Sequence, residues 1–518
     1  MTGWNGDGRR GGATLVLCGL LGWLATRADA QTEIPSLPFG AHDYVGYAVD
    51  DLPGHMQAPL VQATNNTPAS NPLTNAGATL GRVLFYDRQL SHDHSVACAS
   101  CHQQATGFGD TDPLSQGVNG LTGRHSMSLS NVGYYERGRA FWDERAASLE
   151  EQALLPIQDP VEMNLDLPTL VTRLEGTPFY AQLFEAAFGT PEVTPARIGQ
   201  AIAQFERSMV SYQAPIDQVF TGAEPNLAVL TPRERQGFAI FHGPQAQCSN
   251  CHTTSAFVSD APHNIGLDSV DTDEGAGNGR FKAPSLRNAE VRGHFMHDGR
   301  FSSLEEVIDF YSEGVNEDNP NIAPNMANRN FTQQEKDALL AFLRLLTDNQ
   351  FLTDEKFSNP FVLACDFDGD GQCGIDDLNT LLAAGPIAGG VAIGSDNQRY
   401  DINFDGVLNG NDLEMWLTEA ALVDGLASPY QVGDANLDSQ VDGQDFIIWN
   451  SSKFTAQTAW DRGDFNGDGL VDGQDFVLWN GSKFTASDGN VVPEPDVSLS
   501  GWGGLLWLVV NRLRRRHR

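Results

Sequence analysis

Basic residues are scarce in this 518-residue chain, with 32 lysines and arginines against 67 aspartates and glutamates and a net charge of −35. A surface of that sign repels a phosphate backbone, which argues against nucleic acid as a partner. Cysteine is also scarce, at seven residues. Four fall in two identical motifs, Cys18 lies in an apolar leader, and Cys365 and Cys373 bracket an acidic loop where they can form a disulfide. None is left over as a candidate nucleophile. Sustained period-two alternation is missing from about residue 78 to 348, so a sheet protein is not expected there. The apolar run Leu499 to Val510 falls short of the roughly 20 residues a membrane span normally needs.

What is present is more specific. Cys98-Ala-Ser-Cys101-His102 and Cys248-Ser-Asn-Cys251-His252 each have the spacing for covalent haem c. In that chemistry two thiols add to the haem vinyl groups and the adjacent histidine gives its nitrogen to iron. Zinc or a redox dithiol is the alternative for one such motif, but two of them in a cysteine-poor chain point to a di-haem c-type cytochrome.

The leader carries Arg9 and Arg10 before an apolar run from Ala13 to Ala25, then Ala28-Asp29-Ala30 as a cleavage site. This is a secretory signal, with the mature chain beginning near Gln31. Thr194-Pro195 opens a segment with a helical stripe of Ile198, Ile202, Phe205 and Met209. Thr231-Pro-Arg-Glu234, Ser303-Leu-Glu-Glu306 and Thr332-Gln-Gln-Glu335 fit the capping box, the last opening a helix through Leu339, Leu340, Leu343 and Leu346.

Between these helices stand Leu80-Gly-Arg-Val-Leu-Phe-Tyr-Asp87, Gly107-Phe-Gly-Asp110, Phe141-Trp-Asp143 and Leu149-Glu-Glu-Gln152. Pro160-Val-Glu-Met163, Ile202-Ala-Gln-Phe-Glu-Arg207, Phe281-Lys-Ala-Pro-Ser-Leu-Arg-Asn288 and Met296-His-Asp-Gly299 follow in order. Residues 78–348 thus resemble the bacterial di-haem cytochrome c peroxidase family, which includes hydrogen-peroxide reductases and MauG-type oxidases. The resemblance implies a peroxidatic haem on His102 and an electron-entry haem on His252. Glu162 matches the distal glutamate that moves a proton between the peroxide oxygens. Gln152 and Pro156 match pocket-shaping positions, and Trp142 matches a tryptophan between the haems, either an electron relay or a packed aromatic. The sixth ligand of the second haem falls at Tyr311, on the stripe Leu304, Val307, Ile308, Tyr311, with Met296 as its rival.

Three departures stand out. The place of the histidine that ligates the resting peroxidatic iron in some relatives is Val118, so that iron is expected five-coordinate unless His125 substitutes. His125 and Arg292-Gly-His294 replace residues that bind an inter-haem calcium. They put that ion in question and place positive charge there instead.

After residue 365 four acidic loops repeat: Asp366, Asp368, Asp370 and Asp377; Asp401, Asn403, Asp405 and Asp412; Asp434, Asn436, Asp438 and Asp445; Asp464, Asn466, Asp468 and Asp475. Oxygen ligands at loop positions 1, 3, 5 and 12 form a calcium cage, and Asp at position 12 resembles dockerin repeats. Val492-Pro-Glu-Pro495, the apolar run and Arg512-Leu-Arg-Arg-Arg516 resemble a PEP-CTERM sorting signal, with basic residues on the cytoplasmic side.

The expected fold is mainly α, with two cytochrome c-like haem domains followed by EF-hand-like, dockerin-type calcium repeats. The expected parts are a signal peptide (1–30), a peroxidatic haem domain (31–215) and an electron-transfer haem domain (216–350). A linker with the first repeat pair (351–425), a second pair (426–490) and the sorting segment (491–518) complete the chain. The expected cofactors are two haem c groups and loop calcium. The expected partners are hydrogen peroxide, a small cytochrome c or cupredoxin donor and a cohesin-like module, with transient C-terminal membrane association in a periplasm or cell envelope. A MauG-like oxidase or a surface electron-transfer scaffold are the competing functions.

Overall fold

The computed structural model describes residues 33–35, 46–47, 52–221, 225–258, 261–394 and 396–488. The signal peptide, Cys18 and the sorting segment lie outside these residues. Among the described residues the chain is mainly helical, and its strands pair only in twos over two or three residues. No helix among them is long and apolar enough to cross a membrane.

One helix pair frames each haem motif. Helix Asn75–Tyr86 is capped by the Thr74 hydroxyl, which accepts the Gly77 N–H, and it crosses helix Pro195–Ser208. At the crossing a Cβ on Gly81 would stand 2.0 Å from the Ala201 carbonyl oxygen, so only glycine fits. Helices Pro232–His242 and Gln333–Arg344 repeat the device, with Gly237 against Ala338 at 1.9 Å. The first pair buries Leu80, Leu84, Ile198 and Ile202; the second buries Phe241, Leu339, Phe342 and Leu343.

Thr231 and Thr332 form complete capping boxes with Glu234 and Glu335. At the third site the box is displaced by one residue, because Glu306 accepts the N–H of Ser302 at 2.7 Å while Ser303 still caps. Leu346 lies past the end of its helix but stays fully buried.

The stretch after Thr347 lies on the N-terminal haem domain. Tyr47, Tyr86 and Arg82 donate to the carbonyls of Lys356, Phe357 and Ser358 at 2.6, 2.7 and 2.7 Å. Strand Glu33–Pro35 then pairs antiparallel with Phe361–Leu363. Beyond it, four loop–helix units share a core that includes Leu378, Leu381, Trp416, Leu417 and Trp460. The last two units lock reciprocally: the Trp449 indole donates to the Asp472 carbonyl at 3.0 Å and the Trp479 indole to that of Asp442 at 3.1 Å. Cys365 and Cys373 are disulfide-bonded across the first loop.

Candidate active site

Cys98 and Cys101 bound a one-turn helix, and His102 caps its C-terminus. His102 Nδ1 lies 3.0 Å from the Phe108 carbonyl oxygen. That contact assigns the proton to Nδ1 and leaves the Nε2 lone pair for a metal. Burial lowers the His102 pKa, which keeps the ring neutral and able to bind.

Glu162 is delivered to this centre by a turn. Asp159 Oδ1 accepts the N–H groups of Val161 and Glu162 at 2.8 and 3.2 Å. Both Cys98 and Cys101 feel the Glu162 charge, so it lies within electrostatic reach of the attachment site. Its carboxyl is raised first by burial and then by the Asp159 carboxylate, with Arg145 opposing. A hairpin of Gln116–Gly117 and Gly120–Leu121 packs on the same turn. Its Val118 N–H donates to the Glu162 carbonyl at 2.8 Å, and a Cβ on Gly117 would stand 2.2 Å from the Val161 carbonyl oxygen. The Val118 side chain packs at the edge of the core that contains Leu80 and Met163. Gln152 ends helix Leu149–Gln152 with its Oε1 buried and without a donor. A buried acceptor left unpaired is costly, so a donor from a bound group fits it.

The second centre is a cavity of about 420 Å³ that brings together Cys248, Cys251, His252, Tyr311 and Met296. His252 Nδ1 lies 3.3 Å from the Phe257 carbonyl oxygen, again leaving Nε2 for iron. The stripe predicts one helix through Tyr311; the helix instead ends at Asp309 and passes into a π turn, Phe310–Gly314. Such a turn recurs at functional sites, and here it still leaves Tyr311 on the cavity wall. Burial pushes its phenol pKa up. His125 lines this second cavity as well. Its Nδ1 lies 3.1 and 3.2 Å from the Asp112 and Pro113 carbonyl oxygens.

Trp142 faces the same cavity, donates its indole N–H to the His125 carbonyl at 2.7 Å and meets His297 edge-on at 6.5 Å. Four residues of these centres escaped the sequence reading. Asp159 and Arg145 set the charge around Glu162, Met326 lines the second cavity, and buried Lys282 stands 4.2 Å over the Tyr135 ring. Only Asp159 carried a readable signal, since Asp-Pro-x-Glu is a turn pattern. The Lys282 ammonium pKa is pushed down to about 8 by burial.

All four acidic loops share one backbone form, with left-handed residues at positions 4 and 6, for example Phe404 and Gly406 in the second. The position-12 aspartates Asp377, Asp412, Asp445 and Asp475 are buried and accept N–H groups from positions 2 and 9. Asp366, Asp368 and Asp370 bring three carboxylates within reach of one ion. Asp434 is fully buried, its Oδ2 has no partner, and its pKa is pushed up to about 8 by burial and by Asp445 and Asp438.

Paired thiols beside carbonyl-held histidines, twice over, define a di-haem c-type protein, and the residues present fit that cofactor. Residues 75–225 match the model of the family described as di-haem cytochrome c peroxidase. Methylamine utilization protein MauG of Methylorubrum extorquens is 39% identical over 293 residues, covering 54% of this chain and 80% of that protein. Cytochrome c551 peroxidase of Nitrosomonas europaea is 30% identical over 286 residues, covering 53% and 80%. A solved MauG-like protein associated with microbial copper homeostasis is 31% identical with a TM-score of 0.51, covering 57% of this chain and 95% of that one. The chain belongs to the di-haem cytochrome c peroxidase/MauG family: it is an oxidoreductase, a di-haem c-type peroxidase or oxidase, and the family implies peroxide as substrate and a redox protein as electron donor.

Proposed function

We propose that the chain reduces hydrogen peroxide with electrons from a small redox protein, which enter at the His252 centre and are used at the His102 centre. Haem c supplies, when bound, the iron that receives peroxide and the means to hold electrons. Glu162 takes the proton from the near peroxide oxygen and gives it to the far one, so that the leaving oxygen departs as water. Burial and Asp159 make its carboxylate basic enough to accept that proton. Val118 has no nitrogen with which to hold an iron on the Glu162 side, and the Gln152 amide shapes the pocket. Trp142 is placed to relay electrons across the domain boundary, and Tyr311, on the wall of the second cavity, would help His252 hold the iron of the second haem. The observation that carries this reading is the raised Glu162 carboxyl within electrostatic reach of Cys98 and Cys101 with Val118 hydrogen-bonded to its backbone. The test is steady-state peroxide consumption by the as-isolated, unreduced holoprotein with a reduced cytochrome c donor. Turnover without prior reduction supports the proposal; none, even after prior reduction, sinks it.

A MauG-like oxidase acting on a protein or organic substrate is the second reading, favoured by Tyr311 on the second cavity. The four loops are taken as dockerin-like calcium sites, on the strength of the buried, unpartnered Asp434 Oδ2. They serve as a calcium-stabilised spacer, with docking to a cohesin-like module as the alternative. The leader and tail sequences support export to the periplasm or cell envelope and a PEP-CTERM-type sorting step with transient membrane association.

A further inference from the structure

Arg292 is a cation for which the described residues offer no anion. Its Nη2 donates to the carbonyl oxygens of Ser285 and Arg287 at 2.6 and 2.7 Å, and its Nε is buried without an acceptor. Buried Arg82 also lacks a carboxylate, but its Nε and Nη2 are paired with the Ser358 and Glu355 carbonyls at 2.7 and 2.8 Å. Two other buried guanidiniums meet carboxylates. Arg287 is held by Asp217 at 2.6 and 2.8 Å, and Arg207 by Glu150 at 2.6 Å. No carboxylate among the described residues offsets Arg292 in this way. A guanidinium whose Nε is shut off from water with no counter-charge is penalised, so the cavity beside it leaves room for an anion that the described residues do not supply.

The position says where that anion lies. Arg292 opens on the cavity that holds His252, on a wall shared with His125 and Trp142 from the N-terminal haem domain. The next residue, Gly293, is pressed so close to that domain that a Cβ would stand 2.4 Å from the Thr111 carbonyl oxygen. The two histidines on the wall do not compete for the role. His125 holds Nδ1 near the Asp112 and Pro113 carbonyls, and His294 holds Nδ1 2.8 Å from that of Gly299. In both, Nδ1 is spent on main-chain carbonyls and presents no fork of donors to an anion. Lys282, on the same cavity, already feels the carboxylates of Glu144 and Glu206. Arg329, the other arginine on this cavity, spends Nη2 on the Asn325 carbonyl at 2.6 Å in an exposed contact, whereas Arg292 keeps a buried, unpaired Nε on a permanent, fork-shaped donor made for a carboxylate.

Haem c brings two propionate carboxylates into the cavity it occupies. We propose that Arg292 binds a propionate of the haem attached at Cys248 and Cys251, and that this guanidinium, rather than a divalent ion, supplies the positive charge on the wall between the haem domains. The proposal rests on His252 carrying that haem. A cation fixed at the haem edge favours the reduced iron, which has one positive charge fewer, so Arg292 raises the reduction potential of the second centre.

The test is a spectroelectrochemical titration of full-length holoprotein as wild type, wild type with EGTA, Arg292→Lys and Arg292→Met, with resonance Raman spectra of the propionate bending bands. EGTA is expected to leave the second haem where it titrates. Arg292→Met is expected to shift its reduction equilibrium about tenfold toward ferric iron, about 59 mV for one electron, and to move a propionate band. Arg292→Lys keeps the charge and most of the potential but loses the paired hydrogen bonds, so its band also moves. Two results overturn the proposal: EGTA shifting the potential as far as Arg292→Met does, or Arg292→Met with an unchanged potential and band. If Arg292→Met does not take up haem, an unmoved propionate band in Arg292→Lys is itself sufficient to overturn it. A pyridine haemochrome assay showing one haem in the wild type would instead defeat the underlying assignment of His252.

Discussion

At both haem centres the histidine rests its Nδ1 on the carbonyl of a phenylalanine a few residues along, Phe108 for His102 and Phe257 for His252. Around that shared frame the two centres differ. The first gathers a raised carboxyl, Glu162, and a hairpin that carries Val118. The second gathers Tyr311, Met296 and Met326 around one cavity, with the buried Nε of Arg292 beside them. Attachment is therefore the repeated part of the design and the surrounding groups are the variable part. A carboxyl able to change its charge suits proton movement, whereas soft or phenolic donors around iron suit electron storage.

The sharpest way to break this comparison is Glu162→Gln. That variant is expected to keep both haems and their spectra and to lose at least about a hundredfold in peroxide turnover, measured as steady-state peroxide consumption. Near-normal turnover would reduce Glu162 to a pocket carboxylate and erase the functional difference between the centres.

A second measurement needs no mutation. With Val118 in the place of a resting histidine ligand, and His125 on the second cavity, the ferric protein is expected to show one high-spin and one low-spin haem by electron paramagnetic resonance. Low-spin signals alone would mean that a side chain reaches the first iron after all.

Tyr311→Phe addresses the second centre. Loss of an anionic oxygen donor is expected to turn that haem from six- to five-coordinate and to raise its reduction potential, because such a donor favours ferric iron. Tyr311→Met should restore six-coordination at higher potential. An unchanged low-spin spectrum in the Phe variant would assign the ligand to Met296 or Met326.

How much of this was legible in the sequence follows from how local each feature is. The haem motifs, the acidic loops and the caps at Thr194, Thr231 and Thr332 depend on residues a few positions apart, and the structure places the three caps where the pattern predicts. The disulfide between Cys365 and Cys373 is equally short-range. Features that need distant partners were not readable. Strand Glu33–Pro35 finds Phe361–Leu363 across the haem region. Phe404, on the second acidic loop, takes up a left-handed backbone (φ 56°) and lies 5.8 Å from Phe179 of the N-terminal haem domain. Nothing in Asp-Ile-Asn-Phe-Asp-Gly announces that contact. Lys282 looked like an ordinary cation until the fold buried it, and the sequence marked Arg292 as a charge between the haem domains without showing that its Nε lacks an acceptor.

The smallest effect on catalysis is expected from calcium, and it contrasts the acidic loops with the haem region. Without a cation the loop aspartates favour their protonated forms: Asp434 titrates at about 8, Asp464 at about 7, and Asp412 and Asp445 at about 6, in each case chiefly through burial. The unfolded chain has the ordinary carboxyl pKa near 3.8, so between there and about 8 the folded loops bind more protons than the unfolded ones. Their contribution to stability is therefore fully present in acid and lost as pH rises through the folded values. In EGTA the melting of the loop region, followed by calorimetry on the full-length holoprotein, is expected to fall from pH 5 to pH 8. Calcium binds the deprotonated cages, releases protons and reverses that slope, adding about 2.7 kcal/mol at a hundredfold excess over its dissociation constant for one site. Peroxide turnover should hardly change with EGTA at any of these pH values. A melting temperature that ignores both calcium and pH would remove the ion from the loops, and turnover abolished by EGTA would place an essential ion between the haems instead.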